Sequence, residues 1–396
     1  MERFIESLRQ SGKNTVRLPE ISELPRSNIV SCFDVEGPWF LGDFIDEAMT
    51  KSLRPQNGYV EASPSYGQII YHDTWEWFTQ VTSPRETISL AQEGTDTIFP
   101  MILFLAEGVG YQYLEDLTLR SKPTPGSQNL VARLQREEVN AFGITTAPQR
   151  PYQALVRQTE FLDERHIIGS PFPIDETKEL LQRTGVWKQE IAMVKAYLRD
   201  CYAIINDYSQ ISSENGQICR NLSETGRKLL KVSIAHFHTD QLGISYDHNH
   251  RQLRESPKPL LGQVVERTYM LGDRAKAMVA VSLNLRYGRS DSTLVTVGDG
   301  LNDTLMLQMA PISIGVNGAD AARAAKIAVA TEDMLSLLPI FEQILAGQRD
   351  IGTIIQRARQ QVGSAAIICR GGLDIPEDIL AKHRAIKKKL RGDIIY

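Results

Sequence analysis

The chain has 396 residues, 42% of them hydrophobic and 23% charged, with a formal net charge of −4. That is the make-up of an ordinary globular protein with one large domain or two to three smaller ones, and a slightly acidic balance gives no reason to expect nucleic acid as a partner. Cys32, Cys201, Cys219 and Cys369 form no CxxC pair, no apolar run approaches the roughly 20 residues of a membrane span, and no signal peptide opens the chain, so a cytoplasmic protein with reduced thiols and no membrane partner is expected.

Residues 1–27 are polar and carry Pro19 and Pro25, which predicts a loosely attached arm. Asn28-Ile29-Val30-Ser31-Cys32-Phe33 reads as a short buried strand with Asp34 at its carboxyl end. Residues 40–120 follow a mostly helical pattern, as around Trp75-Glu76-Trp77-Phe78 and from Thr95 to Ala106. Pro123-Thr124-Pro125-Gly126-Ser127 breaks the chain, and Ser127 is placed to cap a helix that carries Leu130, Val131 and Leu134. The stretch from Val139 to Ile144 reads as a second strand ending at Thr145, and Arg165 to Gly169 as a third. Residues 175–262 are again largely helical, with a polar loop at 245–258. A helix from Asp273 to Tyr287 leads into Thr293-Leu294-Val295-Thr296-Val297, a strand that ends in Gly298-Asp299-Gly300. Short apolar strands follow at 312–314 and 327–329, and the remainder from about 333 is helical in pattern. Its basic run, Lys387-Lys388-Lys389-Leu390-Arg391, reads as the solvated face of a terminal helix.

Short apolar strands separated by helices predict an α/β fold, a parallel sheet with helices on both faces. In such folds ligands sit at the carboxyl ends of the strands. Asp34, Thr145 and Asp299 all fall at such ends, so three strands can deliver three polar groups to one crevice.

The segment Gly298-Asp299-Gly300-Leu301-Asn302-Asp303 carries the strongest chemical signal. Glycine on each side of Asp299 permits a tight turn and close backbone approach. Asp299 and Asp303 would set two carboxylates beside a hard cation, and oxygen ligands suit Mg²⁺; the plain alternative is an ordinary Asp-Gly turn. In Asp34-Val35-Glu36-Gly37-Pro38, two acids one residue apart close an apolar strand. Asp34 can attack phosphorus if a cation offsets the repulsion between anions, and Glu36 can protonate a leaving oxygen; solvated acids at a strand edge are the alternative.

Asp34-Val35-Glu36-Gly37 resembles the first motif of the haloacid dehalogenase-like (HAD) phosphatases, and Gly298–Asp303 resembles their fourth. The resemblance implies a Rossmann-like parallel core made of residues 28–39, 121–170 and 271–335. It also implies a helical cap at 40–120, to which this chain adds a helical insert at 171–270 and a C-terminal helical region at 336–396. It implies Asp34 as nucleophile, Glu36 as general acid, and Mg²⁺ held by Asp34, the carbonyl of Glu36, and Asp299. Thr145, with Thr146 as its neighbour, would bind the substrate phosphate. Lys276, 23 positions before Asp299, would neutralise nucleophile and phosphate, with Arg274 as the alternative two residues earlier. Asn302 and Asp303 would support the metal ligands from behind. The spacing is similar to the phosphoserine phosphatase branch. Glu36 in place of Asp, Pro38 in place of Thr or Ser, and Thr146-Ala147 in place of Gly-Gly depart from it, and leave the substrate open.

The implied activity is hydrolysis of a small phosphorylated metabolite through an aspartyl-phosphate. A phosphotransferase with an alcohol acceptor and a non-catalytic assembly or regulatory protein on the same fold are the alternatives. His236, His238, His248 and His250, with Asp240 and Asp247, read as a polar loop rather than a metal site. The four tryptophans (Trp39, Trp75, Trp77 and Trp187) read as packing residues.

Overall fold

Parallel strands buried on both faces dominate the computed structural model, which describes residues 26–81, 93–214, 216–244 and 258–392. In chain order the strands are β1 (Ser27–Asp34), β2 (Asn140–Pro148), β3 (Ile167–Ser170), β4 (Ser209–Glu214), β5 (Gln217–Leu222), β6 (Gly288–Gly298), β7 (Ile312–Val316), β8 (Ile327–Thr331) and β9 (Ala366–Arg370). Seven of them form one sheet in the order β3-β2-β1-β6-β7-β8-β9, flanked by helices. All its pairings are parallel except β8 with β9. The fold is therefore α/β with a mostly parallel, Rossmann-like sheet.

The sequence of β1 explains its central place. Ile29, Val30, Cys32 and Phe33 are all buried, as expected for a strand covered on both faces. Burying each large apolar side chain contributes about 1.5–3 kcal/mol. No helix among the described residues is long and apolar enough to cross a membrane, and all four cysteines are free.

Contacts divide the chain into two units. Among the described residues, the sheet unit takes 26–43, Thr118–Ser170 and 271–392. The second unit takes Phe44–Leu117 and Pro171–Met270. Cap and insert are thus not separate bodies. The Pro100–Ala106 helix from the first segment lies on the Trp187–Tyr208 helix from the second, and the Tyr66–Val81 helix lies on Glu224–His236. An aromatic core joins both segments: Phe99 meets Tyr197 edge-on, and Tyr197 stacks on Phe237 with ring centroids 4.1 Å apart. Each segment alone would expose these rings, which is the physical reason for the merger.

Three further expectations need correction. The largely helical insert expected at 171–270 also holds two strands, β4 and β5, which pair as an antiparallel hairpin. The C-terminal region contains β9, which closes the sheet edge against β8; five residues are too few for periodicity to separate a strand from a helix. Ser127 does not cap its helix. Gly126 takes the cap position at φ 75°, and Ser127 is the first helical residue, its hydroxyl donating to the Trp39 carbonyl at 2.9 Å. The expected N-terminal arm falls almost wholly outside the described residues, as does the polar loop at 245–257.

Candidate active site

Strand register brings the three polar ends together. Asp34 pairs across from Ile144, so Thr145 lies one step beyond it. On the other side Phe33 pairs with Val297, which sets Asp299 just past the end of β6. The chain after Asp34 turns sharply: the Val35 carbonyl accepts from the Trp39 and Phe40 amides at 3.2 and 3.0 Å. Gly37 holds this turn at φ 105°, where its Cα lies so close to Asp299 that a Cβ would collide with the carboxylate. From the far side Thr124 donates its hydroxyl to the Gly37 carbonyl at 2.6 Å. This is what the Pro-rich break at 123–127 contributes to the site.

Lys276, in the Asp273–Tyr287 helix, is completely buried. Its Nζ donates to Asp34 Oδ1 and to Asp303 Oδ1, both at 2.8 Å. The other oxygen of Asp303 accepts from the Asp299 and Gly300 amides, each at 3.0 Å. Asp303 therefore fixes the ammonium and the Gly298–Gly300 turn at once. Burial would depress Lys276, but Asp303 and Asp34 outweigh it and hold the ammonium above its ordinary value. Burial, followed by the charge of Asp303, raises the Asp34 carboxyl well above the ordinary range, with Lys276 pulling the other way. Arg274, the alternative to Lys276, does not make these two contacts.

Asp299 has partners that the motifs do not foretell. Lys387 Nζ lies 3.1 Å and Arg391 Nη1 3.0 Å from its Oδ2, both from the Glu377–Arg391 helix. Lys387 also donates to the Asp299 carbonyl at 3.0 Å, and Arg391 Nη2 to the Gly42 carbonyl at 2.6 Å. Burial alone would raise Asp299, but Lys387 and then Arg391 outweigh it and hold the carboxyl below the usual range. The basic run is thus a helix, as expected, but two of its cations face the site rather than water. One sequence signal pointed there: Leu380, His383, Lys387 and Arg391 recur at three- and four-residue spacing, which is one helix face.

The remaining predicted residues divide. Thr145 is buried, and its hydroxyl oxygen accepts from the Ala147 amide at 3.0 Å, which leaves its proton to donate. Thr146 is a correction: its hydroxyl donates to the Leu271 carbonyl at 2.7 Å and accepts from Asn302 at 3.2 Å, so it has no proton for a phosphate. Successive strand residues point to opposite faces, so Thr145 and Thr146 cannot both serve. Asn302 instead ties β2 to the turn after β6. Glu36 Oε1 accepts from the Tyr152 hydroxyl at 2.7 Å. Burial and then the charge of Glu36 push the Tyr152 phenol well up, so it remains a donor. Tyr152, like the C-terminal cations, carried no motif signal.

The residues fit a hard divalent cation. Asp34, Asp299 and Asp303 are buried, and each offers a carboxylate oxygen within 4.8 Å of the others. Both oxygens of Asp303 are already committed to Lys276 and to amides, so it fits the supporting role expected of it. Asp34 and Asp299 are the direct candidates, with the Glu36 carbonyl nearby in sequence. The other metal-compatible group among the described residues, His72, Asp73 and Glu76, lies in the second unit, where Arg227 and Lys231 already pair with the two acids. Two members of the histidine group are among the described residues. His236 is exposed and pairs with Asp240 at 2.8 Å, whereas His238 is buried against Phe99, Phe237 and Trp77. His248, His250 and Asp247 lie outside the described residues.

No family model and no curated protein matches the sequence. Among solved structures, the chain is similar to gene product AF1437 from Archaeoglobus fulgidus, with a TM-score of 0.63 at 16% identity, over 93% of this chain and 98% of that one. At that identity the likeness is one of fold.

Proposed function

We propose that this chain is a magnesium-dependent phosphatase of the HAD type that hydrolyses a small phosphorylated metabolite through an aspartyl-phosphate on Asp34. The observation that carries the reading is the buried Asp34–Lys276–Asp303 constellation beside Asp299 at the carboxyl edge of three adjacent strands. A plain structural ion pair has no need of a second and third acid in the same place.

Asp34 Oδ1 is held by Lys276 and by the Val35 amide at 2.9 Å, which leaves Oδ2 to attack phosphorus. As the Asp34–phosphorus bond forms, the bond to the leaving oxygen breaks and that oxygen takes a proton from Glu36. Lys276 and the Thr145 hydroxyl offset charge on the phosphoryl oxygens, the kind of fixed electrostatics that usually supplies the largest catalytic term. Glu36, oriented by Tyr152, then takes a proton from the water that attacks the aspartyl-phosphate, releasing phosphate and restoring the Asp34 carboxylate. A divalent ion held by Asp34, the Glu36 carbonyl and Asp299 would supply Lewis-acid neutralisation of the approaching anion.

The test is hydrolysis of an aryl phosphate by the wild type and by Asp34→Asn, each with Mg²⁺ and with EDTA. Turnover that needs Mg²⁺ and is lost in Asp34→Asn is expected. Equal turnover by both proteins removes Asp34 as nucleophile. Rate gains on adding an alcohol at fixed Mg²⁺ would move the reading to phosphotransfer. An inert wild type across a broad phosphate-ester panel would favour an assembly or regulatory role.

A further inference from the structure

The Glu377–Arg391 helix is fastened differently at its two ends. Leu380 and His383 are buried, and Leu380 joins a cluster with Ala322, Ala328 and Ile375. That half is part of the core of the sheet unit. The last two turns are fastened chiefly by charge, Lys387 and Arg391 to Asp299 and Arg391 to the Gly42 carbonyl. The Arg391 side chain is only 8% exposed, yet its Nε is buried without a hydrogen-bond partner. A buried guanidinium with an unsatisfied donor gives back part of what its ion pair gains. The two ends are therefore held by different forces, the Leu380 end by apolar burial and the Lys387–Arg391 end by charge.

Both cations converge on the same oxygen of Asp299. Asp299 is also a carboxylate that would hold a divalent ion. Like charges gathered at one carboxylate in a poorly solvated site repel strongly, so the pair and the ion compete for this carboxylate.

We propose that the end of the C-terminal helix is a latch on the metal carboxylate: the Lys387–Arg391 pair and a divalent ion are alternative partners of Asp299, and ion binding releases the last turns of the helix. The inference rests on the reading of Asp299 as a metal ligand. It makes residues 385–391 a reporter of metal occupancy, and a means by which anything that captures the basic turn would raise metal affinity.

The test is Mn²⁺ titration by calorimetry of the full chain as wild type, as the double variant Lys387→Gln with Arg391→Met, and as Asp299→Asn. Methionine keeps most of the arginine stem's packing. The double variant is expected to bind Mn²⁺ at least tenfold more tightly than the wild type, and Asp299→Asn more weakly. In the wild type, which requires no substitution, Mn²⁺ is expected to speed amide exchange across 385–391 and to leave 379–383 unchanged. Unchanged or weaker Mn²⁺ binding by the double variant, or exchange at 385–391 that Mn²⁺ does not move, overturns the latch. If binding is still lost in Asp299→Asn, the metal reading survives that failure. No saturable Mn²⁺ binding by any of the three proteins overturns both.

Discussion

Two sets of cations neutralise one cluster of acids, and they are built in opposite ways. Lys276 is fully buried, reaches Asp34 and Asp303 with one ammonium, and comes from the helix that leads directly into β6. Lys387 and Arg391 lie 88 and 92 residues past Asp299 in the chain, and the Lys387 side chain keeps 29% of its surface in water. The inner set is over-determined: both oxygens of Asp303 are used, one on the lysine and one on the backbone turn. The outer set leaves a buried donor unmatched. An ion pair bound into a core holds geometry, while one at the end of a helix can be exchanged. If that contrast is real, the two sets must respond differently to substitution, acid and salt.

The largest difference is expected from removing each charge. Lys276→Met leaves Asp34 and Asp303 facing each other, buried and unpaired, a situation that costs about 3–5 kcal/mol. The same change should lower turnover by about 10²–10³-fold, as loss of one positioned electrostatic group does. Arg391→Met should shift stability far less, because its partner Asp299 keeps Lys387. Chemical denaturation of the two variants side by side measures both. If Lys276→Met is as stable as the wild type, the inner set is no more structural than the outer one, and the comparison collapses.

The same contrast marks what could be read from the sequence. The alternation of short apolar runs and helices was enough for the α/β sheet, and Asp34, Thr145 and Asp299 are brought together because each follows directly on a strand whose register is set by its neighbours. Asp303 followed from the Gly298–Asp303 segment itself, and Lys276 from the family resemblance. Lys387 and Arg391 did not, because a cation that faces a carboxylate and one that faces water have the same letter, and only their place on one helix face with Leu380 and His383 set them apart. Thr146 was misassigned for a related reason: adjacent threonines look equivalent until the pleat sends one to the site and the other to the Leu271 carbonyl. The merger of residues 44–117 and 171–270 was hidden too, since aromatic rings far apart in sequence carry no sign of sharing a core.

Acid should separate the anchored and latched ends of the C-terminal helix. His383 is buried with neither ring nitrogen hydrogen-bonded, and burial lowers its pKa from 6.5 to about 4. A folded pKa below the unfolded one means the neutral ring favours folding. Its contribution is therefore complete above about pH 6.5 and is lost as pH falls from there towards 4. Denaturation midpoints measured across that window should fall, and His383→Leu should flatten the slope. A His383→Leu protein with the same acid profile as the wild type would assign the loss to other groups.

The smallest effect, and the one most specific to the comparison, is that of salt. Mobile ions screen charges that water can reach and hardly touch those it cannot; the screening length shortens from about 10 Å at 0.1 M to about 3 Å at 1 M. Lys387 is within reach of solvent ions, as are Lys389 on the same helix and its partner Glu332 just after β8. Exposed pairs of this kind contribute at most about 1 kcal/mol, so raising salt from 0.05 to 0.5 M should speed amide exchange at 385–391 only several-fold. Exchange at the amides around Lys276 should hardly move, because Lys276 and Asp303 are fully buried and Asp34 nearly so. Equal sensitivity of the two regions would mean that water reaches the inner pair as well, and that the site is a single solvated cluster rather than a fixed pair beside an exchangeable one.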